Sequence, residues 1–281
     1  MKIDIGDVTL FFDVDGESLV PDGAVMREKP TLLLLHGGPG PDHSTLKPFF
    51  SRFADTAQVI YLDHRGMGRS DRSDRANWTL DQWARDVKKF CDALGIEKPI
   101  VLGHSFGGFV ATKYASMYPD HPSKLVISSS LARSDSDVST DWFRELGGEP
   151  AAALFRKVFV DLESDFLQDF VREVMPLYNT TAQDPNNRSR AISNPDVSKH
   201  FFTGEYVGMD LRNDVEKIVC PTLVLAGDRD PMAPRVTADE YVGLLQNADA
   251  QYEVVEGAGH GVWRDCPEEA EAILRGFISG G

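Results

Sequence analysis

The sequence predicts an α/β protein: a mostly parallel sheet with helices packed on both faces, interrupted by an inserted helical cap. Three observations carry this reading. Short apolar runs without alternation, such as Thr31–Leu35 and Gln58–Leu62, suit strands buried on both faces. These runs alternate with helix-length segments, as a parallel sheet requires. From residue 131 to about 214 the rhythm changes, and the chain becomes mainly helical with a polar break over 182–193.

Taken in order, residues 2–5 and 8–14 read as short strands, closed by the turn pair Asp15-Gly16. Lys29-Pro30 leads into Thr31–Leu35, which Gly37-Gly38-Pro39-Gly40 stops. Residues 46–54 suit a short helix, and Gln58–Leu62 is the next buried strand. Thr79 opens the clearest helix. Thr79-x-x-Gln82 is a capping-box pattern, Gly95 is a C-terminal stop, and Leu80, Trp83, Val87, Phe90, Cys91 and Leu94 share one face at helical spacing. A strand over 99–102, a helix over Phe106–Met117 and a strand over Lys124–Ser128 follow. After the insertion the alternation resumes with a strand at 222–226, a helix at 235–245, a strand at 251–255 and a helix at 267–278. The expected organisation is a core of residues 1–130 and 215–281, with 131–214 as a cap over the carboxyl edge of the sheet.

Composition narrows the function. The 281 residues are 42% apolar and 26% charged, ordinary for a globular chain and enough for a large core without disulfide or metal staples. The net charge of −15 would repel phosphate backbones and anionic membranes, so neither nucleic acid nor a membrane is expected as a partner. Cys91, Cys220 and Cys266 are widely spaced and odd in number, and no Cys/His cluster with metal-ligand spacing occurs. The N-terminus lacks a signal-peptide pattern, and no apolar run approaches the roughly 18 residues of a membrane span. A soluble cytoplasmic protein acting on a small-molecule substrate, with no cofactor and no metal, is the expectation.

Gly103-His104-Ser105-Phe106-Gly107 matches G-x-S-x-G where an apolar strand hands over to a helix, the place where a strained turn projects a serine nucleophile. Read alone, Ser105 could equally cap that helix. A serine hydroxyl needs a base and an orienting acid. Gly227-Asp228-Arg229-Asp230-Pro231 and Gly257-Ala258-Gly259-His260-Gly261 each follow a strand and supply both, in the chain order serine, aspartate, histidine. His36-Gly37-Gly38-Pro39-Gly40 also follows a strand, and its glycines let backbone N–H groups approach an oxyanion. All four motifs therefore fall on one edge of a parallel sheet.

With Asp63-His64-Arg65-Gly66-Met67-Gly68-Arg69-Ser70, these five ordered motifs resemble an α/β-hydrolase, nearest the proline iminopeptidase-like branch. The resemblance spans most of the chain outside the cap. It implies an eight-stranded, mostly parallel sheet, a Ser105–Asp230–His260 triad and no metal. It also implies an oxyanion hole from the N–H of Phe106 and one from the first loop, taken as Gly38 with Gly37 as the alternative. Family spacing favours Asp230 over Asp228 as the acid. His104 is expected to be packed rather than catalytic, and His36 to brace its loop.

The resemblance departs at two points. Proline iminopeptidases usually carry Gly-Gly-Ser-Trp-Gly at the elbow, where this chain has His104 and Phe106. They also bind the substrate amine with cap carboxylates. The cap here holds 15 acidic and nine basic residues, none of which matches an amine site residue by residue. Trp142 and Phe201, with Trp263 beyond the cap, are candidates to line the pocket. The expected function is a serine hydrolase of a carboxylic ester, lactone or small amide. The alternatives are a proline iminopeptidase and a catalytically silent binding protein on the same fold.

Overall fold

The structure is a computed structural model that describes residues 1–182 and 184–280. Eight strands form one sheet in the order β1-β2-β6-β5-β7-β8-β9-β10: β1 (Lys2–Asp4), β2 (Thr9–Asp15), β6 (Gln58–Leu62), β5 (Thr31–Leu35), β7 (Ile100–His104), β8 (Lys124–Ser128), β9 (Thr222–Gly227) and β10 (Ala250–Val255). The pairs β1–β2 and β2–β6 are antiparallel, and every pair from β6 to β10 is parallel. A separate hairpin, β3 (Leu19–Asp22) with β4 (Val25–Glu28), has no counterpart in the sequence reading. Its strands are exposed, so they carry none of the apolar runs by which buried strands are recognised.

The sheet divides the core in two. Successive strand residues point to opposite faces, so Leu33, Leu35, Ile60, Leu62 and Val101 join one apolar cluster, while Leu32, Leu34, Val59, Tyr61, Ile100 and Leu102 join the other. Helices α1 (Leu80–Leu94) and α2 (Phe106–Met117) cover the first face. The C-terminal helix Pro267–Ser279 and the turns of Phe49–Asp55 cover the second. Thr79 Oγ1 accepts from the Gln82 N–H at 3.2 Å at the start of α1, and Gly95 ends it in the left-handed region at φ 70°. Leu94, expected on the buried face, is exposed. The short helix expected over 46–54 is instead two 3-10 turns, His43–Leu46 and Phe49–Asp55, parted at Lys47-Pro48, where proline has no N–H to continue the ladder.

Between β8 and β9 the chain builds the helical segment. Its longest piece, α3 (Ser136–Phe159), is broken at Gly148, two residues before Pro150. Phe143, Phe155, Phe170 and Val174 give the segment a small core of its own. Among the described residues no helix is long and apolar enough to cross a membrane.

Candidate active site

Strand β5 lies between β6 and β7, so the chain leaves it first to one side and then to the other. A crevice opens at the carboxyl ends of strands flanking such a switch point. Ser105 stands there, one residue past β7, at φ 52° in the left-handed region that side chains rarely adopt. Its N–H donates to the Ser128 carbonyl at 2.9 Å, and its carbonyl accepts from Gly108 N–H at 2.8 Å and from Ser130 Oγ at 3.0 Å. The turn closes only because a neighbour lacks a side chain: a Cβ on Gly107 would run into the Leu35 carbonyl.

His260 follows the edge strand β10, and Asp230 follows β9. The imidazole Nδ1 lies 3.0 and 2.9 Å from the two Asp230 oxygens. A carboxylate only accepts, so Nδ1 carries the hydrogen of this contact. Asp230 is fully buried and also accepts from the Met232 N–H at 2.8 Å and the Ala233 N–H at 3.0 Å, which fixes its plane. Asp228, the rival acid, instead accepts from the Gly257 N–H at 2.7 Å.

Ser105 and His260 line one cleft together with Gly38, Phe109, Ser129, Ser130, Leu131, Phe202, Tyr206, Met232 and Ala233. Gly37 faces Ser105 from the other side; a Cβ there would lie 3.3 Å from the serine Cβ. Phe106 is the first residue of α2, where N–H groups have no intrahelical acceptor and the helix dipole favours negative charge. Its ring turns away, buried against Trp83 and Phe201. The three candidate pocket aromatics are not among the cleft residues. Phe201 is fully buried one layer behind Phe202. Trp263 packs edge-on against His104 and Phe50 under the sheet. Trp142 is half-buried on α3. Apolar bulk drew them into the reading, and the same bulk is what the core takes up.

His36, His43, His64 and His104 are buried parts of the frame. His36 Nδ1 lies 2.8 Å from the Gly37 carbonyl, and its Nε2 accepts from the His64 N–H at 3.4 Å. Burial holds His36 below the ordinary imidazole value and His64 and His104 well below it, so all three are neutral. His43 is buried on Asp63 at 2.6 Å. The buried Arg65 guanidinium forks onto Asp86, and Arg69 reaches Asp42 at 2.7 Å.

The helical segment reaches down to two of the site's loops, a contact with no local signal in the sequence. Tyr178 accepts the His260 N–H through its carbonyl at 2.6 Å, and Asn179 Oδ1 accepts the Gly261 N–H at 2.8 Å. Thr180 Oγ1 donates to the Gly257 carbonyl at 2.7 Å. Asp265 gathers the N–H groups of Gly259, Thr180 and Thr181 at 2.8–3.0 Å. A second tether holds the first loop. Asn194 N–H donates to the Gly40 carbonyl at 2.9 Å, and Ser198 Oγ donates to the Pro39 carbonyl at 2.5 Å.

A family model described as the alpha/beta hydrolase fold matches residues 30–262, most of the chain. The chain therefore belongs to the α/β-hydrolase family, and it is a hydrolase. Within that family it stands in the proline iminopeptidase-like branch. A proline iminopeptidase of Pestalotiopsis fici is 29% identical over 90% of this chain and 92% of its own. A Caulobacter protein provisionally named as a carbamate hydrolase is 26% identical over 88% of this chain and 94% of its own. Among solved structures, an esterase from Exiguobacterium antarcticum superposes with a TM-score of 0.71 at 18% identity, covering 97% of this chain and 96% of that one, a likeness of fold.

Proposed function

We propose that the protein hydrolyses small carboxylic esters or lactones through an acyl-enzyme on Ser105. One observation carries the reading: an Asp230-oriented His260 and Ser105 share a cleft whose walls hold no carboxylate. His260 Nε2 takes the hydroxyl proton as Ser105 Oγ attacks the scissile carbonyl. Phe106 N–H and a loop N–H, from Gly38 or Gly37, receive the oxyanion at the positive end of α2. The imidazolium, held by Asp230, gives its proton to the departing alkoxide, leaving the acyl group on Ser105. Water then repeats the sequence, with His260 as base, and releases the acid.

Release of an N-terminal proline asks for more. The amide leaving group is poorer, and the substrate's cationic amine needs an anion to hold it. The proline iminopeptidase relatives favour that reading, but the cleft lining offers no anchoring carboxylate. An organophosphonate probe should label wild-type protein and fail to label Ser105→Ala. Values of kcat/KM for short p-nitrophenyl esters and acyl lactones should exceed that for proline p-nitroanilide, and the reverse order would reject the ester reading. Absence of labelling with turnover of none of these would point to a binding protein.

A further inference from the structure

Five buried side-chain polar atoms have no hydrogen-bond partner among the described residues: Ser44 Oγ, His64 Nε2, His104 Nδ1, Ser128 Oγ and Ser129 Oγ. Buried hydroxyls are normally paired, so each calls for an explanation. His104 and Ser128 are register partners across β7 and β8, so those two groups belong to adjacent positions of the sheet. Ser44 and His64 do not line the cleft. Ser129 does, at only 2% exposure.

Ser129 is also held in an unfavourable conformation, at φ 49°, while its N–H donates to the Leu225 carbonyl at 2.9 Å. A strained residue with an unpaired hydroxyl in a cleft wall is a candidate for function. A second hydroxyl shares that wall. Tyr206 is 8% exposed, and its ring packs on Phe109 and Phe202. Phe109, Leu131, Phe202, Met232 and Ala233 give the cleft an apolar side, while the Ser130 hydroxyl is engaged with the Ser105 carbonyl. A plain alkanoyl chain in this cleft would leave the Ser129 hydroxyl unpaired.

We propose that Ser129 and Tyr206 form a polar subsite for a hydroxyl or carbonyl oxygen of the substrate near its scissile carbonyl. The preferred substrate is then an oxygen-substituted ester or lactone rather than a simple alkanoyl ester. This rests on the ester-hydrolase reading and sharpens its substrate class. The oxygen can belong to the acyl or the alcohol part, and two substrate pairs separate them: p-nitrophenyl 3-hydroxybutyrate against p-nitrophenyl butyrate, and 2-hydroxyethyl butyrate against ethyl butyrate. Wild-type kcat/KM should favour the oxygenated member of one pair by about fivefold to tenfold, the worth of a hydrogen bond that satisfies buried groups. Ser129→Gly, which removes the hydroxyl and is at ease at positive φ, and Tyr206→Phe should each bring that ratio towards unity. A ratio near one in both pairs for the wild type, or a preference that survives both substitutions, overturns the subsite while leaving the hydrolase reading intact. Inertness of all four esters, with no phosphonate labelling of Ser105, overturns both.

Discussion

The elbow at Ser105 and the loop at His260 are built in opposite ways. The elbow is self-contained. It lies between central strands, its turn closes on glycines, and the Ser128 carbonyl from the adjacent strand fixes it. The His260 loop leaves β10, an edge strand with a single neighbour, and besides Asp228, Arg229 and Asp265 of the core it is held by residues 178–181 of the helical segment. A Cβ on Gly259 would strike the Tyr178 carbonyl, so loop and strap are packed as well as hydrogen-bonded. Ser105 is thus positioned by the sheet, and His260 by the sheet and the helical segment together. A movement of residues 178–181 would displace His260 and leave Ser105 where it is.

The largest expected effect tests the common machinery. Ser105→Ala should lower kcat by about 10⁴–10⁶ with the fold retained; more than about a tenth of the activity would break the assignment. Asp230→Asn should cost up to about 10⁴ by holding the wrong imidazole tautomer, whereas Asp228→Asn should cost little; kinetics showing the opposite ranking would move the acid to Asp228.

Next comes the strap. Asp265→Ala frees the Gly259, Thr180 and Thr181 amides at once, and Asn179→Ala frees Gly261. Each should lower kcat by about tenfold to a hundredfold by misplacing the imidazole, with KM nearly unchanged and phosphonate labelling of Ser105 slowed in parallel. Unaltered kcat in both would mean that the sheet alone positions the base.

Acid should loosen the sheet side first. His36, His64 and His104 are held neutral there, with folded values below the ordinary 6.5. As pH falls through 6.5 the unfolded chain takes up protons that the folded chain refuses, so stability is full above that value and declines below it. Each group contributes at most about 1.4 kcal/mol per pH unit. Asp63, whose carboxylate is held below its ordinary 3.8, adds a loss only at lower pH. A melting temperature that stays level from about pH 7 to about pH 5 would contradict this.

The smallest effect is expected where cap meets core at the surface. The Arg75–Asp196 pair is 2.8 Å long, but both side chains are more than half exposed. Arg75→Ala should change stability by less than about 0.5 kcal/mol and leave kcat unaltered, against the large effect of the buried strap. A comparable loss of kcat would show that the whole cap, rather than residues 178–181, positions the base.

The strand–helix alternation, the order of Ser105, Asp230 and His260 and the glycines around them are all legible in the sequence. Each is a local requirement: a strand buried on both faces must be apolar along its length, and a tight turn must shed side chains within a few residues. The exposed hairpin was invisible because nothing forces its strands to be apolar. Bulk and hydrophobicity do not say whether a ring faces a cleft or a core, so the sequence offers Phe201 and Trp263 where Phe109 and Phe202 line the cleft beside Ser105. Only the tertiary structure decided that Phe202 rather than Phe201 lines the cleft beside Ser105, that Ser129 is strained and unpaired there, and that Asp265 holds the helical segment to the His260 loop. Those contacts join residues tens of positions apart through single backbone amides, and a backbone amide is the same whatever the residue that carries it.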